Sequence, residues 1–188
     1  MSSKTSTIID RIIVEASPNE VYDAFMDPTK HSEFTGSKAT GKPKVGNKFS
    51  AWDGYISGKN IELKKGKKIV QDWITTDWPK DFHPSRLELE FNDLGDKTEI
   101  KMIHLGVPKN QETSLRQGWI DFYWKQLKEY FEEQKPLTQD LVGFFEAGGF
   151  VTADELAELG VQKVMNAFPV GLGDNGARLP ATSLRKNP

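Results

Sequence analysis

The stretch RQGWIDFYWKQLKEYFEE, residues 116–133, places six aromatic rings in eighteen positions. At 100° per residue, Trp119, Ile120, Phe122, Tyr123, Trp124, Leu127, Tyr130 and Phe131 spread over an arc of roughly 200° on a helix. Asp121, Lys125, Lys128, Glu129 and Glu132 hold the remainder. A helix resting on one flat sheet needs an apolar stripe of only about 100° or somewhat more. The surplus predicts a helix enclosed on more than one side, by a curved sheet and something else. Asn110 reads as the cap ahead of it. Gly118, which costs a helix about 1 kcal/mol relative to alanine, reads as a point of close approach to another backbone.

Upstream of this helix the hydrophobic period is mostly two. Residues 8–15 are rich in β-branched side chains and predict a strand. Ser17-Pro18-Asn19-Glu20 combines an N-cap, a proline at the first helical position and a capping-box glutamate, so a helix starts here. Asp27-Pro28 ends it, and a short helical piece follows over 29–34. Five strands are then expected, over 47–52, 55–63, 68–73, 85–92 and 97–105, separated by turn signals such as Asp53-Gly54, Lys65-Gly66 and Gly95-Asp96. RLELEFND shows the alternation best, with Leu87, Leu89 and Phe91 inward and Arg86, Glu88 and Glu90 in water. Strands joined without intervening helices pair antiparallel. The fold class is therefore α+β, an antiparallel meander followed by one long helix.

The 188 residues are 37% hydrophobic and 28% charged, with a formal net charge of −2. Such a balance gives no general attraction to nucleic acid or to an anionic membrane. Without cysteine there are no disulfides and no thiolate metal sites, which fits a cytoplasmic protein. Neither a signal peptide nor a run of about 18 apolar residues is present, so secretion and membrane spanning are not expected.

Several segments, SPNEVYDAFMDP, GNKFSAWDGYISG, KIVQDW, DWPKDF, and GVP followed by RQGW, resemble in their order and spacing one known family. It is that of the activator of the ninety-kilodalton heat-shock chaperone ATPase, specifically its C-terminal-type domain. The resemblance covers about residues 8–133. It implies the helix-grip fold of the START-related, birch-pollen-allergen-like superfamily, in which a curved antiparallel sheet wraps a long C-terminal helix and a cavity often separates the two. It also implies a chaperone as partner and a link to stress, and polyketide-cyclase-like relatives share the fold. The eukaryotic co-chaperone carries a separate domain ahead of this one.

Strand parity then nominates site residues. Gln71 and Thr75 share parity with Trp73, and His104 shares it with Ile100 and Met102, so all should face the concave side. With Phe91, and with Trp119 and Tyr123 from the helix, Trp73, Gln71, Thr75, Met102 and His104 are the candidates for an aromatic-lined cavity holding a small apolar ligand. His31 and His83 are expected in water. Lys64, Lys65, Lys67 and Lys68 form a basic hairpin that an acidic protein surface would fit. Three functions follow: a non-catalytic binding module with an apolar guest, a co-chaperone acting on the chaperone ATPase, and a cyclase-like enzyme using His104 with Gln71 or Tyr123. No cofactor and no metal site is expected.

The family pattern stops near residue 135, giving a helix-grip domain over 1–135. A helical appendage is expected over 136–174, with a capping box at Thr152-Ala153-Asp154-Glu155, packed on the domain or pairing with a second copy as a homodimer. GLGDNG has glycines at 171, 173 and 176, but it follows no strand and opens no helix, so it is not a dinucleotide loop. Residues 175–188 read as a disordered tail.

Overall fold

The period-two segments form strands in the computed structural model of the chain, which describes residues 4–80 and 82–134. The appendage, the homodimer contact assigned to it and the tail lie outside the described residues. The elements run β1 (Thr5–Val14), α1 (Pro18–Met26), α2 (Pro28–Thr35), β2 (Thr40–Gly41), β3 (Lys48–Ala51), β4 (Ile56–Lys64), β5 (Lys68–Thr75), β6 (Ser85–Asp93) and β7 (Thr98–Pro108). A continuous helix follows: α3 (Glu112–Trp119), a π-helical turn (Ile120–Trp124) and α4 (Lys125–Glu133). The seven strands form one antiparallel sheet in the order β1-β7-β6-β5-β4-β3-β2. It curves around the long helix in the helix-grip arrangement, and the compact unit ends at Gln134.

Local chemistry explains the joints. The Ser17 hydroxyl accepts from Glu20 N while the Glu20 carboxylate accepts from Ser17 N, the reciprocal cap expected from the sequence. Asp27 closes α1 through its backbone and caps α2 through its side chain, which accepts from Thr29 N and Lys30 N. At Gly58 a Cβ would sit 1.9 Å from the Asp72 carbonyl oxygen, so only glycine lets β4 lie this close to β5. Register shifts at Ser6/Thr7 and at Asn60/Glu62 help bend the sheet.

The long helix has the sheet on one side and α1–α2 on another, which accounts for its surplus of rings. Trp119, Tyr123, Trp124, Leu127 and Phe131 are buried. From the helical layer, Phe25, His31 and Phe34 pack on Tyr123 at ring-centroid distances of 6.3, 5.8 and 6.1 Å. Indole and guanidinium groups fasten the helix to β1: Trp124 Nε1 donates to Asp10 at 2.8 Å and Arg116 to the Ile9 carbonyl at 3.3 Å.

Four expectations are corrected. Ile120 and Phe122 are not core residues but are 43% and 53% exposed. A π turn bonds i to i+5, so a wheel drawn at 100° per residue loses phase across residues 120–124. Trp119, Tyr123, Leu127 and Phe131, four apart, keep the inner face. Asn110 is no cap, because it lies inside a 3₁₀ turn (Lys109–Gln111) that leads into Glu112. His31 is buried rather than solvated, because α2 folds back onto the helix and its ring bonds the Phe25 carbonyl at 3.1 Å. Gly118 meets no backbone: a Cβ there would find only the Phe122 ring edge, at 3.9 Å.

Candidate functional site

The inward positions of β5, β6 and β7 and the α2 side chains meet the inner face of the helix, and two hydrogen-bonded relays through buried histidines form there. In the first, Trp119 Nε1 lies 3.3 Å from His104 Nδ1, and His104 Nε2 lies 2.7 Å from Ser85 Oγ. An indole N–H can only donate, so Nδ1 is the unprotonated nitrogen and Nε2–H donates to Ser85. Ser85 in turn donates to the Trp73 carbonyl at 2.8 Å. Every proton in the chain has an acceptor. His104 has no exposed surface, and burial lowers its pKa to about 3, so it is neutral at physiological pH.

The second relay starts from α2. A carbonyl only accepts, so His31 Nδ1 carries its proton to Phe25 O, leaving Nε2 to face the Tyr123 hydroxyl at 3.5 Å. The Trp52 ring packs on the Tyr123 ring, at 6.2 Å. Burial raises the Tyr123 pKa and lowers that of His31, so both are neutral.

Two spaces adjoin these relays. A small cavity of about 30 Å³, lined by residues that include His31, Asn60, Gln71, Trp73, Trp119 and Tyr123, has room for roughly one water. Beyond it lies a cleft of about 170 Å³ walled by Trp52, Tyr55, Ile56, Trp73, Gly118, Trp119, Phe122 and Tyr123 and exposing only apolar atoms. Trp73, Trp119 and Tyr123 line both spaces and form the partition between them.

Of the residues nominated by parity, then, Trp73, Trp119, Tyr123 and Gln71 come together at these spaces. Gln71 donates to Asn60 at 2.8 Å. Thr75, Phe91, Met102 and His104 are packed in the core and line neither space, with Thr75 bonded to Asp77. In the basic hairpin, Lys64 pairs with Glu62, Lys65 with Asp23, and Lys68 with Glu88 and Glu90. Only Lys67 of the four forms no ion pair among the described residues, so much of the hairpin's charge is neutralised within the chain.

Parity reasoning missed Trp52, Tyr55 and Phe122. Trp52 sits in the turn between β3 and β4 at φ 54°, with Asp53 also at φ 54°. A bulky side chain in the left-handed region costs about 1–3 kcal/mol and persists only where its surroundings hold it. Here the Phe122 and Tyr123 rings hold it, at 5.4 and 6.2 Å. Such strain concentrates at functional sites. Gly118 is the second sign. Gly118→Ala is expected to stabilise the domain by about 0.5–1 kcal/mol, since the methyl fits and the helix gains propensity. Urea unfolding at neutral pH measures it.

The family described as Activator of Hsp90 ATPase homolog 1-like protein matches residues 15–132. The chain belongs to that family. Over 115 residues it is 35% identical to the human activator of 90 kDa heat shock protein ATPase homolog 1, a match covering 61% of this chain and 34% of that protein. It therefore spans about a third of the length of the curated relatives it matches. Among solved structures, an HSP90 activator from Plasmodium falciparum superposes with a TM-score of 0.62 at 25% identity, over 67% of this chain and 96% of that one. The Aha1 dimer from Colwellia psychrerythraea superposes with a TM-score of 0.60 at 18% identity, over 70% and 99%, and shares the fold. The helix-grip fold is thus what this family member has in common with both.

Proposed function

We propose that this domain is a non-catalytic binding module whose aromatic cleft docks on a 90 kDa heat-shock chaperone in the cytoplasm and modulates its ATPase. The observation that carries the proposal is the cleft itself: Trp52 held in a strained conformation, Phe122 half exposed, and a helix glycine with no steric need for being glycine. The relatives named as activators of this chaperone supply the partner. Ligand pockets for drug-sized molecules measure about 300–1,000 Å³. A cleft of about 170 Å³ suits one inserted side chain better. The His104 lone pair is already held by Trp119, which favours binding over proton transfer.

The test is a titration of the isotope-labelled chain with the chaperone from its own source, alongside the chaperone's ATPase rate. Phe122→Ser removes a half-exposed ring from the cleft wall, and is expected to weaken binding about tenfold or more, as central aromatic anchors do. Unchanged affinity in both Phe122→Ser and Gly118→Ala, or shifts confined to Lys64–Lys68, would sink the cleft as the docking face. A second reading draws on the wholly apolar lining, which would also accept a small apolar ligand. A copurifying small molecule, lost on Phe122→Ser, would support that instead.

A further inference from the structure

A second depression, sharing no residue with the aromatic cleft, runs between the α1–α2 corner, the β2–β3 loop and the β4–β5 hairpin. It is an open groove of about 710 Å³. We propose that it docks an extended acidic segment of a partner protein, with one apolar side chain seated against Tyr22, Met26, Val45 and Leu63 and carboxylates facing Lys30 and Lys44.

Charge gives the first argument. Lys30, Lys44 and Lys65 line the groove together with Asp23 and Asp27. Both aspartates are already engaged: Asp23 pairs with Lys65 at 3.4 Å, and Asp27 caps α2. Neither Lys30 nor Lys44 forms an ion pair among the described residues, although the charge of Lys30 is felt at Glu20. The lining thus carries a net positive charge, with Lys30 and Lys44 free of ion pairs beside an apolar floor. An acidic ligand with an apolar anchor complements both features at once.

Preorganisation gives the second. Val45 is 54% exposed at the tip of the β2–β3 loop, where an apolar side chain gains nothing from the fold. Yet the loop is fixed from beneath. Asn60, buried at the register shift of β4, donates to the carbonyls of Lys42 and Lys44 at 3.1 and 3.3 Å, and its own carbonyl accepts from Gly46 N at 2.8 Å. Gln71 holds the Asn60 side chain in turn. A buried amide pair thus sets the position of an exposed valine and an unpaired lysine. A wall held rigid in advance lowers the ordering cost of binding.

The proposal is independent of the chaperone reading, because the two depressions are lined by different residues. It is tested on the full 188-residue chain with a short fluorescent peptide in which glutamates flank a single leucine. Saturable binding that weakens with salt is expected, with amide shifts at Lys44, Val45 and Leu63. Lys30→Glu combined with Lys44→Glu should weaken binding about tenfold, and Val45→Asp similarly, while Phe122→Ser leaves it unchanged. All three sites lie at or near the surface, and thermal melts confirm the fold of each variant. No binding, equal binding of a lysine-for-glutamate peptide, equal binding of an oligonucleotide, or indifference to the double charge reversal would each overturn the proposal.

Discussion

His104→Ala is expected to destabilise the domain by about 3–5 kcal/mol while leaving any surface docking intact. The ring is fully buried, 4.8 Å from the Trp73 ring and edge-on to it, so truncation leaves a void in the core. It also strips the buried Trp119 Nε1–H of its acceptor, which costs about 1–3 kcal/mol by itself. Ser85 keeps its bond to the Trp73 carbonyl and is spared. The orphaned indole is what separates a relay from mere packing. Trp119→Phe deletes that donor, so the double variant should be more stable than the sum of the singles by about 1–2 kcal/mol. Equilibrium urea unfolding of the four proteins completes the cycle. Strict additivity would mean that His104 acts by filling space alone.

Acidification should destabilise the domain well above the carboxylate range. His104 titrates near 6.5 in the unfolded chain and at about 3 in the folded one. The pKa of His31 is also lowered by burial. Above about pH 6.5 both histidines are neutral in both states, and their contribution is fully present. As pH falls below that value, the unfolded chain takes up protons that the folded chain refuses, so stability drops toward the folded pKa. The slope is about 1.4 kcal/mol per pH unit for His104, and steeper while His31 adds to it. Glu20, Glu62 and Glu112, whose pKa values are lowered by hydrogen bonds, also lose stability on acidification, but below about pH 4.5. The interval between about pH 6.5 and 4.5 therefore reports the histidines. The chain has only three, and the third, His83, is exposed. Thermal melts across this interval should show a steady fall, much reduced in His104→Ala. A flat profile would show that the rings are hydrated in solution.

The amino-acid sequence by itself determined the elements and the class. Capping chemistry at Ser17 and Asp27, the alternation of RLELEFND and the turn at Asp53-Gly54 are local: each depends on residues within a few positions, and each is found where expected. Parity likewise brought Trp73, Gln71 and His104 to the concave face, because a strand's period of two is fixed by its own backbone. The tertiary structure decided the rest. Whether His104 is a base or a buried acceptor turns on Trp119, fifteen residues away. The burial of His31 depends on how α2 folds back, and the exposure of Phe122 on a π turn that no residue type announces. Trp52 and Tyr55 read as parts of a hairpin end until the long helix brings Phe122 and Gly118 beside them. Local bonding sets period and direction. Which faces remain open is decided only when distant segments compete to cover them.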